Sequence, residues 1–144
     1  MPDSLTHQVL TKRIKNAVVA GTSNQDGTTI DMAGYDAARC IALLGTLTTT
    51  HVTKLIAMQG DLANGSDAVA IDGAESGLAG DADSNEMLIL DVIQPRKRYI
   101  TFRLVRGTAN AVLDGMIVEQ YKAREMPIAA DATVTNQAVV VPTA

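Results

Sequence analysis

The segment IQPRKRYITFRLVRG, residues 93–107, decides how this chain is read. It holds five of the twelve basic residues, the only Phe and one of the three Tyr. Within it, Ile100, Phe102 and Leu104 share one parity, while Tyr99, Thr101 and Arg103 share the other. A period of two marks a strand with one buried face, because successive side chains leave a sheet on opposite sides. Phe102 therefore belongs to a core, and Tyr99 is left as a lone ring among cations. A platform for single-stranded nucleic acid needs several exposed rings on a basic face, so that bases stack while cations follow the backbone. Arg98, Arg103 and Arg106 are better matched to carboxylates, which a guanidinium pairs two bonds at a time.

Outward from this strand, turn signals recur at NQDG (24–27), AGY (33–35), NGS (64–66), DG (72–73), DADSN (81–85) and QPRK (94–97). Gly and Asn tolerate positive φ, and Asp and Asn side chains fold back onto their own backbone, so each cluster can reverse the chain. The runs between them predict strands over Ala38–Leu44, Val52–Gln59, Ala68–Asp72, Met87–Ile93 and Ala111–Tyr121. YDAARCIALL and ANAVLDGMIVEQYKARE also partly fit helical spacing, but Gly115 interrupts the second and glycines bracket the first, which favours strands. The expected fold is an all-β antiparallel sandwich or barrel.

Composition bounds the rest. At 144 residues with 47% hydrophobic, 19% charged and 3% aromatic residues, the chain makes one domain whose core is built from Ala, Val, Ile, Leu and Met. Small side chains bury little area each, so oligomerisation or docking on a larger partner is expected to add stability. A net charge of −4 argues against nucleic acid as the partner. No apolar run approaches the roughly 18 residues of a membrane span, and MPDSLTHQVLTKRIKN lacks the apolar segment of a signal peptide, so synthesis in the cytoplasm and no membrane partner are expected. Residues 1–15, with Lys12, Arg13 and Lys15, and residues 127–144, without cation or aromatic, read as extended arms flanking a sandwich over 16–126. The run AVVV near the C-terminus could add a strand to a neighbouring sheet edge.

Sites of chemistry are scarce. Cys40, in RCIALLG, reads as a buried structural thiol. His7 and His51 read as solvated arm and turn residues, without the carboxylate-held geometry of a catalytic base. Asp81, Asp83 and Asn85 open like a calcium loop, but Glu86 and Val92 stand where its Gly and final carboxylate belong. GAESGLAG lacks the Lys of a phosphate cradle. Neither an enzyme nor a cofactor or metal site is expected. Charge is sorted instead: eight carboxylates and no cation from Asp61 to Asp91, then seven cations and two carboxylates from Arg96 to Arg124. The acidic stretch is expected to supply the arginines' partners, in the same chain or the next.

The blocks GYDAA (34–38), NGS (64–66) and KRYI (97–100), taken in this order, resemble blocks of small structural proteins of tailed bacteriophages and prophages. Gly34, Tyr35, Asp36 and Ala38 fit a "GYDSA" block; Asn64, Gly65 and Ser66 fit its turn, and Asp72 the following Asp. Lys97, Arg98, Tyr99 and Ile100 fit a "KRYV" block, and Gly115, Arg124 and Pro127 the ending, while Ala68-Val69 replace the usual aromatic. The resemblance, over roughly 34–127, implies a jelly-roll sandwich acting as a capsid decoration or cement protein on the virion surface, binding the major capsid protein and itself as a homodimer or homotrimer. Arg96, Lys97, Arg98, Tyr99, Arg103, Arg106, Tyr121, Lys12 and Arg13 are the candidate protein-interaction residues. A head-to-tail junction or tail component is the nearest alternative, and a carbohydrate-binding or adhesin module a further one.

Overall fold

Two antiparallel five-stranded sheets pack face to face in the computed structural model, which describes residues 4–143. The chain runs α1 (Leu5–Gln8), β1 (Leu10–Lys15), β2 (Val18–Gly21), β3 (Gln25–Asp26), β4 (Ile30–Asp31), β5 (Tyr35–Leu47), β6 (Val52–Gly60), β7 (Val69–Glu75), β8 (Met87–Ile93), β9 (Tyr99–Gly107) and β10 (Ala111–Ala123). The first sheet has the order β1-β10-β5-β8, with β2 also on β10. The second has β3-β9-β6-β7, with β4 also on β9. The all-β sandwich expected from the alternation is thus the fold, and both segments with partial helical spacing are strands, β5 and β10.

Parity works as anticipated. Ile100, Phe102 and Leu104 are fully buried, facing Ala38, Cys40, Ala42 and Leu44 of β5 in one core cluster with Leu55, Leu113, Met116 and Val118. Small side chains on β5 make room for the single large ring, which is how a core with almost no aromatics still fills its volume. Cys40 lies in that core, and burial pushes its thiol up to about 12. The glycine at 115 marks a bulge: its φ is +142°, an added Cβ would meet the Lys15 carbonyl at 3.2 Å, and the β5–β10 register shifts there.

The N-terminal region departs from the expected arm. Residues 10–15 form β1, paired with β10 from Leu10↔Gln120 onward, with Ile14 buried. Only Ile14 in this run contributes substantial apolar burial; the ladder of backbone hydrogen bonds holds the rest, which a hydrophobicity argument misses. The C-terminal region has no strand among its described residues. It lies against α1 and β1 through Ile128 N–H to the His7 carbonyl (2.9 Å) and Arg13 N–H to Thr133 Oγ1 (3.0 Å), then leaves Val139, Val140 and Val141 exposed. Residues 1–3 and 144 of the two expected arms lie outside the described residues.

Candidate functional site

The outer face of the first sheet is the most distinctive surface. Ladder register lines up rows across its strands: Ile89–Ile41–Ile117, Met87–Leu43, Asp91–Arg39–Glu119 and Ile93–Ala37–Tyr121. Met87, Ile89 and Ile93 on β8 are 57%, 45% and 55% exposed, so apolar rows stay open at the β8 end of this face, while Leu5 and Val9 lie beside the polar row of Arg39, Asp91, Glu119 and Tyr121. Apolar side chains grouped on one strand in this way mark a contact surface more often than scattered ones do. The polar row is internally tied. Arg39 Nε donates to Glu119 Oε1 at 3.1 Å, and Tyr121 OH lies 2.7 Å from both Asp91 oxygens. Burial first, and then the Asp91 hydrogen bond and charge, push the Tyr121 hydroxyl up to about 12.

The outer side of the second sheet is charged and already paired. Arg98 donates from Nε and Nη2 to the two oxygens of Asp31, each at 2.9 Å, and lies 5.2 Å above the Tyr99 ring. Arg103 makes the equivalent fork to Asp26, with Nη2 to Oδ2 at 3.0 Å. Their carboxylates therefore come from β4 and β3 of the same chain, not from the 61–91 stretch. Short strands laid beside β9 bring Asp31 opposite Tyr99 and Asp26 opposite Arg103. The acidic stretch instead takes lysines, Lys97 to Asp61 (2.9 Å) and Lys54 to Glu75 (3.1 Å). The Arg98 hydrogen bonds hold the Asp31 carboxyl below the ordinary carboxylate range, against the opposing effect of burial.

Arg106 has no carboxylate at all. It has the core parity of Phe102 and is 5% exposed between the sheets. Nε donates to the Ser23 carbonyl (2.7 Å), and Nη1 to those of Val19 (2.9 Å) and Ala111 (2.7 Å). This guanidinium ties β9 to β2 and β10 of the opposite sheet, and burial lowers its pKa. It is a clamp inside the fold rather than a surface group. His51 is likewise not solvated: its ring is buried, with Nδ1 2.9 Å from Thr53 Oγ1 and Nε2 3.0 Å from the Gly80 carbonyl. The other candidates do not converge. Arg96 is exposed at the β8–β9 turn, Tyr121 is on the far sheet, Lys12 lies 3.9 Å from Asp131, and Arg13 is exposed on β1.

Open clefts of about 510 Å³ beside Arg13, Asp26 and Thr133, and about 460 Å³ beside Tyr35, Lys97 and Arg98, line the surface. Asp81 and Asp83 accept the N–H groups of Thr50 (3.1 Å) and Gly80 (2.6 Å), so both carboxylates cap turns. Among the described residues no three His, Cys, Asp or Glu side chains are placed to hold a metal ion, and no helix is long and apolar enough to cross a membrane.

Fold and surface together define an all-β sandwich with an exposed apolar row on β8 and, among the described residues, sheet edges at β8 and β7 that no further strand pairs. Comparison with protein-family models and with curated proteins found no match.

Proposed function

We propose that this protein is a non-enzymatic structural protein of a tailed-phage virion, a decoration or cement protein that binds the major capsid protein shell and other copies of itself. The uncovered apolar face around Met87, Ile89 and Ile93 carries the reading, because it suits permanent burial against another protein. Strand order adds support. With β1/β2 and β3/β4 each counted as one interrupted strand, the sheets run first-eighth-third-sixth and second-seventh-fourth-fifth, the order of a jelly roll, an architecture frequent in capsids. Fold alone does not specify function, so the surface and the resemblance of the KRYI and GYDAA blocks bear the weight.

The test is occupancy on purified particles. Quantitative gels are expected to show hundreds of copies per particle, and Ile89→Asp/Ile93→Asp, at exposed positions, is expected to strip the protein from the shell without unfolding it. About a dozen copies or fewer would instead indicate a head-to-tail junction or tail component.

A further inference from the structure

Among the described residues, the edge of β8 and the C-terminal tail are both unpaired, and each has the shape the other needs. The first is the free edge of β8. Leu44 N–H bonds the Glu86 carbonyl (2.9 Å) and Gln94 N–H bonds the Asp36 carbonyl (2.7 Å), so the even-numbered residues of this antiparallel ladder face β5. The backbone N–H and C=O groups of Met87, Ile89, Asp91 and Ile93 therefore point away from β5, where no strand pairs with them among the described residues. The strand MLILDVI has no Lys, no Pro and no bulge, which leaves Asp91 as its one charged guard against edge pairing.

The second feature is the tail. Residues 135–143 make no hydrogen bond with the other described residues, and Val139, Val140 and Val141 are 42%, 76% and 61% exposed. Consecutive β-branched residues favour extended backbone. The tail is last fastened through Thr133, on the β1 side of the sheet opposite β8. Its free stretch extends at about 3.3 Å per residue, long enough to leave its own molecule as a strand.

We infer that the run 137–141 of one copy adds as a strand to the β8 edge of a second copy. Charge favours this occupant over direct β8–β8 pairing. The antiparallel registers of two β8 strands that pair Ile93 with Ile89 or with Met87 set the two Asp91 carboxylates opposite or diagonal to each other, about 5–8 Å apart, where like charges repel. The tail from 135 to 143 has no charged side chain and meets Asp91 without that cost. Added valines on the outer parity extend the apolar rows of Met87, Ile89 and Ile93. Pro142 lacks an N–H and so ends the pairing.

This inference deepens the self-association within the proposed function, but its test uses the isolated chain without a shell, so failure of capsid binding and failure of strand donation are read separately. Light scattering on the full chain is compared with a variant ending at Thr135, which keeps the Asp131 and Thr133 contacts, and with Val139→Asp/Val141→Asp. The full chain is expected to oligomerise with rising concentration and both variants to stay monomeric. A synthetic peptide of residues 134–143 is expected to bind the truncated chain and to lose at least about tenfold in affinity against Ile89→Pro, which deletes an outward N–H but none of those facing β5. Hydrogen exchange at the Ile89, Asp91 and Ile93 amides is expected to be slow in the oligomer and fast after truncation. A truncated chain that oligomerises like the full one, a full chain monomeric at every concentration, or outward β8 amides unchanged by truncation would each overturn the assignment.

Discussion

Replacing Arg106 with Met tests whether a single guanidinium clamps the two sheets. Met keeps an apolar stem of similar length, so packing is nearly retained and the change isolates three hydrogen bonds, to the carbonyls of Ser23, Val19 and Ala111. Removing the charge recovers its burial cost, but each dry carbonyl left without a donor costs about 1–3 kcal/mol. The Ala111 bond is buried and those to Ser23 and Val19 are part-buried, so with the recovered charge burial set against them the net loss is about 2 kcal/mol, a sizeable part of the roughly 5–15 kcal/mol that holds a domain together. For a chain of this size that lowers Tm by about 8 °C, and the urea midpoint by about 1 M. Lys at 106 keeps the charge but offers one donor centre where three directions are needed, so it recovers less than half the loss. Gly21 gives an independent route, because a Cβ there would sit 2.9 Å from Arg106 Nη2. Gly21→Ala should cost about 1–2 kcal/mol in the parent and almost nothing in the Arg106→Met background, the coupling expected of neighbours. Urea unfolding of the four proteins measures the cycle. An Arg106→Met variant within about 1 kcal/mol of the parent, or strictly additive losses, refutes the clamp.

Gln120 is fully buried, with Nε2 donating to the Asp31 carbonyl (2.8 Å) and Oε1 unpaired, so Gln120→Met trades one orphan acceptor for another and should change stability by less than about 1 kcal/mol in thermal unfolding. The lowered pKa of Asp31 adds stability that is present above the ordinary carboxylate value of 3.8 and lost as pH falls through the folded value. The stability gap between the parent and Arg98→Gln should therefore be small, because the pair is exposed and screened by solvent, and should narrow on acidification; a gap independent of pH contradicts this. Cys40 should resist a thiol reagent in the native state and react fully in denaturant. Its raised pKa gives stability present below the unfolded value of 9.0 and lost as pH rises above it, so Cys40→Ala should show less alkaline weakening than the parent, the remainder coming from groups such as Tyr121.

Much of this architecture was legible in residue patterns. Period-two alternation from Tyr99 to Val105 and the apolar runs at 38–44, 52–59, 87–93 and 111–121 locate five of the long strands, because half-buried strands write their parity into the sequence. The short strands β1 to β4 were hidden for a different reason. They are two to six residues long and held chiefly by backbone pairing, which leaves little trace in side-chain type. Arg106 had a signal that charge obscured: it continues the parity of Ile100, Phe102 and Leu104, so the alternation that buried Phe102 also buried the arginine. His51 shares parity with Thr53 and Leu55 of β6, and its turn location concealed its burial. The partners of Arg98 and Arg103 depended on which loop lies beside β9, a question of topology that local sequence does not encode.

The row Asp91–Arg39–Glu119 has a consequence for how the long strands find one another. Over 37–43 and 87–93, β5 and β8 are apolar apart from Arg39 and Asp91, so a slip of two residues between them keeps every side chain on its proper face and costs little burial. Such a slip sets Arg39 against Ile89 or Ile93, and the same slip against β10 sets it against Ile117 or Tyr121. The three charges thus act as an index mark on otherwise repetitive tracks, distinguishing the correct alignment from neighbours that hydrophobicity alone would accept.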